Sequence, residues 1–319
     1  MSLTSATYPT SSGPVLPCPL CSHDGNSLVV AEAGIEHRFG MPVLPVSDYF
    51  QANCGNCGLL YINAPVDSDY LVKLYSAETV DWATEYTGDG AMNDDERARF
   101  VAVVDLVARH RDLKGVEWLD FGCQTGELGE AAMAKHGVVM SGVEVSDDYA
   151  ERAARLWKRD RAVVQSSLEA HAGKQFDVIS SLETLEHLAE PWNMVAGLKR
   201  SLKPGGLLVV SMPSSHYFRL KYHVFKVVRA LVSRNALRNR AQSEGPSVLG
   251  LCHTHLFNFT PESTTLLLEQ QGLEVIHVGG IGWAKRFWPI EMLARLIQVA
   301  SFGRIVIFPS VIAVARLKA

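Results

Sequence analysis

Short apolar runs alternate with helix-like stretches through the middle of the chain, and this alternation limits the fold more than any other feature. The apolar runs have the length of strands and cover residues 116–121, 138–145, 162–164, 176–182 and 207–212. The stretches between them, near 125–136, 147–158 and 192–202, have helical character. Strands that are apolar along their length are buried on both faces, and intervening helices let them run parallel. The pattern predicts an α/β fold with helices on both faces of a parallel sheet.

A glycine-rich turn joins the first of these strands to its helix. It runs through Asp120, Gly122, Cys123 and Gly126, and Glu144 follows at the end of the next strand. Small residues let a ligand approach the backbone, and the free amides of a helix N-terminus attract a carboxylate. An acidic residue at the position of Glu144 can accept hydrogen bonds from both hydroxyls of a ribose. The turn lacks the Gly-x-Gly-x-x-Gly spacing of dinucleotide-binding proteins.

This turn resembles the first motif of class I S-adenosylmethionine-dependent methyltransferases, an acidic residue followed by three alternating glycines. Asp120, Gly122 and Gly126 match that motif, whereas Gln124 replaces the middle glycine. Further family features follow in order, namely Ser-Ser-Leu at 166–168, the strand at 176–182 and Lys-Pro-Gly-Gly at 203–206. The resemblance implies a Rossmann-like sheet and an S-adenosylmethionine cofactor. The residues that it implies for cofactor binding are Asp120, Gly122, Cys123, Gly126, Glu144, Val145, Ser167, Leu168 and Glu183.

Methyl transfer to a hydroxyl requires a group that removes a proton, and histidine is the usual base near neutral pH. Glu183, Glu186 and His187 lie within five residues at the end of the fourth predicted strand. They resemble the Glu-x-x-Glu-His segment of ubiquinone-pathway O-methyltransferases, which is associated with a divalent cation; oxygen-rich ligands favour Mg²⁺. Two interpretations stay open. His187 acts on the acceptor, with or without a cation, or it only shapes the pocket while Glu183 contacts the cofactor.

A second histidine candidate precedes the helix that Thr260 is predicted to cap. The segment from Cys252 to Phe257 contains His253 and His255. The resembling subgroup carries a histidine in this region near the acceptor pocket, which makes His255 an alternative catalytic base. The competing interpretation is a pair of histidines in a surface loop.

Two Cys-x-x-Cys pairs stand near the start of the chain. Cys18 and Cys21 form one pair, and Cys54 and Cys57 form the other after a spacer of 32 residues. In a reducing compartment such pairs indicate a metal site, and four thiolates complete a closed, structural Zn²⁺ site. We expect a small zinc-ribbon-like module. The arrangement resembles a bacterial methyltransferase subgroup with an N-terminal zinc module, whose members act on sugars, polysaccharides or natural products.

A basic insert is expected to influence which acceptor is used. No acidic residue occurs between Pro191 and Ser243, whereas ten lysines or arginines do. Such a stretch can attract an anionic small-molecule or glycan acceptor or dock on a membrane surface, although a solvated helix over the active site has the same composition. The net charge of −4 argues against a nucleic-acid partner.

These features divide the chain into a flexible tail at 1–17, a zinc-binding module at 18–64, a helical bridge at 65–112 and a catalytic domain at 113–319 with inserts at 214–258 and 282–304. In the bridge, Trp82 and Tyr86 are candidates for closing over the cofactor or for packing. We recognise no secretory signal or membrane-spanning run, which predicts a cytoplasmic protein. The predicted activity is O-methylation of a sugar or glycan-like hydroxyl. The alternatives are RNA methylation, C-methylation of a keto sugar, and a non-catalytic protein that keeps the fold.

Overall fold

The computed structural model describes residues 13–32, 37–38, 41–42, 46, 48–76, 94–160, 163–231, 255–282 and 288–318. Its strands are β1 (Ser27–Glu32), β2 (His37–Arg38), β3 (Met41–Pro42), β4 (Tyr49–Asn53), β5 (Leu60–Ile62), β6 (Glu117–Phe121), β7 (Val139–Val143), β8 (Val164–Gln165), β9 (Phe176–Leu182), β10 (Leu202–Pro213), β11 (Phe257–Asn258), β12 (Leu273–Ile281) and β13 (Ser310–Leu317). Its helices are α1 (Ser68–Ser76), α2 (Asp94–Ala108), α3 (Glu127–His136), α4 (Asp147–Leu156), α5 (Pro191–Arg200), α6 (Ser215–Leu231), α7 (Pro261–Gln270) and α8 (Trp288–Ala300).

Seven strands form the main sheet in the order β12-β13-β10-β9-β6-β7-β8. The four pairs within β10-β9-β6-β7-β8 are all parallel. The sheet as a whole is mixed, because β13 runs antiparallel to both β10 and β12. The predicted α/β class is confirmed, and the single reversed strand β13 accounts for the departure from a purely parallel sheet.

Two layers of core cover the main sheet, because successive residues of a strand point to opposite faces. On one face Leu119 and Ile179 pack in a cluster that includes Leu198 of α5 and Leu267 of α7. On the other face the strand residues pack against α2, α3 and α4; the members of that cluster include Trp118, Val178, Val104, Leu128 and Ala153. The predicted helices on both faces are therefore confirmed.

The first part of the chain forms a second sheet, and its outer strand comes from far along the sequence. The order of this sheet is β1-β4-β5-β11, and all its pairs are antiparallel. In β11, Phe257 pairs with Tyr61 and Asn258 with Leu60. One apolar cluster contains both Tyr61 of this sheet and Leu119 of the main sheet. The front module thus shares a core with the main sheet.

Some element boundaries differ from the expectations. The Lys-Pro-Gly-Gly turn lies inside β10, where the pairing with β9 shifts between Leu202 and Leu207 and Gly205 has a positive φ of 72°. The first part of the basic insert, 217–240, has the composition of a basic amphipathic helix, and the structure describes α6 there up to Leu231. Residues 1–12, Trp82, Tyr86, Cys252 and His253 lie outside the described ranges. None of the described helices is long and apolar enough to cross a membrane.

Candidate functional site

A cavity of about 470 Å³ opens where the parallel strands end. Its volume lies in the range of pockets that hold cofactors and small molecules. Ligands of open α/β sheets bind at the carboxyl ends of the strands, and this cavity occupies that position. The residues of the predicted site that line it are Gly122, Glu144, Val145, Leu168, Glu183 and His187.

The glycine turn has positive φ angles at its two matching glycines and also at Gln124, where the family motif has a glycine. Gly122 and Gly126 have φ values of 76° and 91°, and Gln124 between them adopts φ 44°. A Cβ on Gly122 would lie 2.3 Å from Oγ1 of Thr184, so a larger residue would force Thr184 or the turn to move. Gln124 therefore adopts a left-handed conformation, which glycine takes more readily than glutamine.

Glu144 is held inside the cavity by backbone amides. Its carboxylate accepts hydrogen bonds from the N–H groups of Gln124 at 3.0 Å and Ser146 at 2.9 Å. Burial raises its pKa above the ordinary value, while these hydrogen bonds lower it. The arrangement fixes a carboxylate in the wall of the cavity, and its predicted contact with a ribose stays a prediction.

Four predicted residues lie next to the cavity without lining it, namely Asp120, Cys123, Gly126 and Ser167. Asp120 accepts a hydrogen bond of 2.6 Å from the hydroxyl of Ser180 at the adjacent strand. Burial raises the pKa of the Cys123 thiol, which keeps it protonated and makes it a packing residue. These four residues thus belong to the packing around the residues that line the cavity.

Glu183 has partners within the protein. Its Oε1 accepts hydrogen bonds from Arg99 of α2 at 2.9 Å and from Ser211 of β10 at 2.7 Å. The residue itself adopts a positive φ of 51°, a conformation that is uncommon outside glycine and turns the chain sharply at the end of β9. Glu183 is not part of the acidic and histidine cluster that the structure describes next to it.

That cluster consists of Glu186, His187 and His255, whose nearest side-chain atoms all lie within 4.8 Å of one another. Oε1 of the fully buried Glu186 is 3.8 Å from Nε2 of His187 and 3.9 Å from Nε2 of His255. Nδ1 of His187 is 2.8 Å from the hydroxyl of Tyr75. Both histidine candidates from the sequence therefore meet at one carboxylate.

Tyr75 is a site residue that the sequence reasoning treated only as part of a bridge. It lies at the end of α1 and lines the cavity together with Leu71 of the same helix. Tyr149 and Met194 also line the cavity and were not predicted. Tyr149 comes three residues after Ser146, which caps α4. The sequence signal that could have identified Tyr149 is the helix predicted directly after Glu144, because its first turn lies at the cavity.

The four front cysteines form a separate cluster. The sulfur separations are 3.8 Å for Cys18 and Cys57, 3.5 Å for Cys21 and Cys54, and 3.7 Å for Cys21 and Cys57. Four sulfurs bound at 2.3 Å around one tetrahedral Zn²⁺ stand about 3.8 Å apart, so the donors fit that ion. A hydrogen bond with Cys57 lowers the pKa of Cys18 below its ordinary value, which favours the thiolate form that binds a metal.

Comparisons with known proteins agree with this geometry. A family model described as a methyltransferase domain matches residues 94–278. A ubiquinone biosynthesis O-methyltransferase of Coxiella burnetii is 27% identical over 174 residues, covering 53% of this chain and 68% of the relative. The enzyme of the same name from Azoarcus sp. is 29% identical over 185 residues, covering 56% and 72%.

A solved structure shares the fold. The magnesium protoporphyrin IX methyltransferase of Synechocystis PCC 6803, with bound SAH, superposes with a TM-score of 0.52 at 16% identity. The match covers 79% of this chain and 100% of that one.

Proposed function

Since the chain belongs to the methyltransferase family and is an S-adenosylmethionine-dependent enzyme, we propose that it methylates a hydroxyl oxygen of a sugar or glycan-like acceptor with His187 as the base. The observation that carries the proposed hydroxyl chemistry is the position of His187. Its ring lines the cofactor cavity and stands beside the buried Glu186. The sugar class rests on the resemblance of the front cysteine pairs to the bacterial subgroup with an N-terminal zinc module.

The chain's residues have distinct tasks in this scheme. When bound, S-adenosylmethionine supplies an electrophilic methyl group. Glu144 and the backbone at Gly122 orient the cofactor in the cavity. As the new O–C bond forms and the S–C bond breaks, the acceptor's hydroxyl proton passes to His187. The Glu186 carboxylate, 3.8 Å from Nε2, stabilises the resulting imidazolium.

A phenolic hydroxyl is the second candidate acceptor. The similar enzymes of Coxiella burnetii and Azoarcus sp. are named for ubiquinone biosynthesis. Predictions of an anionic acceptor and of membrane contact stay predictions, because residues 232–250 of the basic insert lie outside the described ranges.

A divalent cation at the cluster is an alternative to a histidine base. The sequence favoured Mg²⁺ at Glu183, Glu186 and His187, but Glu183 is engaged by Arg99 and Ser211. The donors that lie together are two imidazoles and one carboxylate, a set that suits transition metals better than Mg²⁺. A metal there would bind His187 and take away its role as the base.

The test is methyl transfer from labelled S-adenosylmethionine to fractionated lysate of the host and to nucleotide sugars and ubiquinone precursors. We expect label in a nuclease-resistant glycan or nucleotide-sugar fraction, and about 10²–10⁴-fold lower kcat for His187→Ala. SAH affinity should be unchanged, and the exposed His223→Ala serves as the matched control.

Other outcomes would replace the proposal with a specific alternative. Label in a nuclease-sensitive fraction would indicate RNA methylation, and label only in ubiquinone precursors would indicate the phenolic acceptor. Activity lost with EDTA and restored by Mn²⁺ or Zn²⁺ would assign His187 to a metal.

A further inference from the structure

The six residues 255–260, which we call the strap, connect the main sheet to the front module. On one side the N–H of Leu256 donates to the carbonyl of Glu186 at 2.9 Å. The N–H of Phe259 donates to the carbonyl of Pro213 at 2.7 Å. These bonds tie the strap to the carboxyl ends of the strands that surround the cavity.

On its other side the strap is a strand of the front module. Phe257 and Asn258 pair with β5, and the N–H of Ile62 donates to the carbonyl of Leu256 at 2.8 Å. The strap's last residue, Thr260, donates its hydroxyl to the carbonyl of Cys57 at 2.8 Å. The metal-ligand knuckle and the strap are therefore in direct contact.

Two buried side chains of β4 hold the strap's first residue. The amide nitrogen of Gln51 and the hydroxyl of Tyr49 both donate to the carbonyl of His255 at 3.3 Å. The amide oxygen of Gln51 accepts from Asn258 at 3.4 Å. Gln51 thus links both ends of the stretch 255–258, and Gln51, Tyr49 and Asn258 are fully buried.

These hydrogen bonds from Gln51 and Tyr49, which we call the clamp, hold the backbone of His255, the third member of the cluster with Glu186 and His187. His255 places its ring 5.0 Å from the ring of His187 and its Nε2 3.9 Å from Glu186. A buried carboxylate depends on such close partners, and displacements of about 1 Å in a catalytic site cost large factors in rate. The backbone position of His255 therefore affects the surroundings of the His187 ring.

We propose that Gln51 and Tyr49 are positioning residues, through which the front module sets His255 against Glu186 and His187. This inference rests on the proposed function, since it gives the cysteine module a part in methyl transfer. Neither side chain lines the cavity, and both bond the backbone of the strap. Gln51 and Tyr49 belong to the sheet of the front module, so they hold the strap from outside the cavity.

The test uses the full chain with isotope-labelled histidine and SAH as the bound probe. Gln51→Met removes both hydrogen bonds of the Gln51 side-chain amide and keeps a side chain of similar volume. Gln270→Met is the matched control, because Gln270 of α7 also bonds the front module, at the carbonyl of Leu20 at 3.2 Å, away from His255. The ring signals are assigned with His255→Asn and His187→Asn.

We expect Gln51→Met to shift or broaden the ring signals of both His255 and His187, with SAH affinity within about twofold of the parent. Gln270→Met should leave both signals in place. Equal spectra for the parent and Gln51→Met, or equal changes in both variants, would overturn the proposal.

Tyr49→Phe provides a second variant that removes a single hydroxyl. If Gln51→Met does not bind SAH, the test is made with Tyr49→Phe. A shift of the His255 ring signal in that variant supports the clamp, and an unchanged signal contradicts it. These readouts require no turnover. An absence of methyl transfer in the parent would count against the proposed function while leaving the ring signals to test the clamp.

Discussion

At the scale of single residues, Asp120 shows how burial sets the charge state beside the cofactor turn. Its side chain is buried at the end of β6, and desolvation raises its pKa to about 7. The hydrogen bond from Ser180 opposes this rise, whereas the nearby Glu144 adds to it. The hydroxyl of Ser180 in turn accepts from the indole N–H of Trp118 at 2.8 Å. The motif's acidic residue is thus part of a buried polar chain.

This raised pKa predicts a specific pH dependence of stability. Between the ordinary pKa of an aspartate and about 7, the folded chain binds more protons at Asp120 than the unfolded chain does. Stability contributed by this group is therefore greatest at low pH and is lost as the pH rises toward 7, by on the order of 4 kcal/mol in all.

The measurement is the free energy of unfolding in urea at pH 5, 6, 7 and 8. Asp120→Asn keeps an oxygen that can accept from Ser180 but carries no charge. We expect the variant to show a shallower decline with pH and to be more stable than the parent at pH 8. Parallel pH curves for the two proteins would contradict the assignment.

At the scale of elements, the turn between β6 and α3 depends on its contact with the segment after β9. Gly122 has a positive φ of 76°, and a Cβ there would meet Thr184 at 2.3 Å for Oγ1 and 2.7 Å for Cγ2. Gly173 has a similar φ of 81° and open space around it. Alanine at Gly173 would introduce backbone strain alone, whereas alanine at Gly122 would add a steric clash with Thr184.

We expect Gly173→Ala to cost only the strain of a left-handed alanine, about 1–2 kcal/mol of unfolding free energy. Gly122→Ala should cost more and should also weaken SAH binding, because the turn must move away from Thr184. Thr184→Ala in the same chain should recover part of the excess, measured as a double-mutant cycle in urea. Equal costs at the two glycines would contradict the steric account.

At the scale of the whole molecule, the front module and the main sheet stabilise each other. Cys18, Cys54 and Cys57 belong to the apolar cluster that also contains Leu119 and Phe121 of the main sheet. Ser215 of α6 donates to the carbonyl of Gly58 at 3.1 Å, which adds a polar contact to the shared core. A metal bound by the cysteines would therefore support more than the module itself.

We expect the purified protein to contain one zinc ion per chain and to unfold in a single thermal transition. Cys54→Ser should lower the zinc content and reduce Tm by about 10 °C or more, since structural zinc contributes many kcal/mol. Cys123→Ser is the control, because that buried thiol is outside the cluster. Full zinc content with unchanged Tm in Cys54→Ser would rule out the assigned ligand set.

The sequence by itself determined the parts of the protein that depend on short spacings. Apolar runs of strand length predicted β6 to β10 because burial on both faces leaves a local pattern. The turn at Gly122 and the cap at Thr260 were predictable because they obey local backbone rules, and Thr260 does accept from the N–H of Ser263 at 3.0 Å. The cysteine pairs were recognisable because each pair lies within one turn of chain.

Only the tertiary structure decided which distant residues meet. Tyr49 and the strap residue His255 are separated by 206 positions, and Arg99 and Glu183 by 84. No local pattern encodes such contacts, because they arise from the order of strands in two sheets that share one core. For this reason the sequence offered two histidines as alternatives, while the fold brings both to Glu186 and engages Glu183 elsewhere.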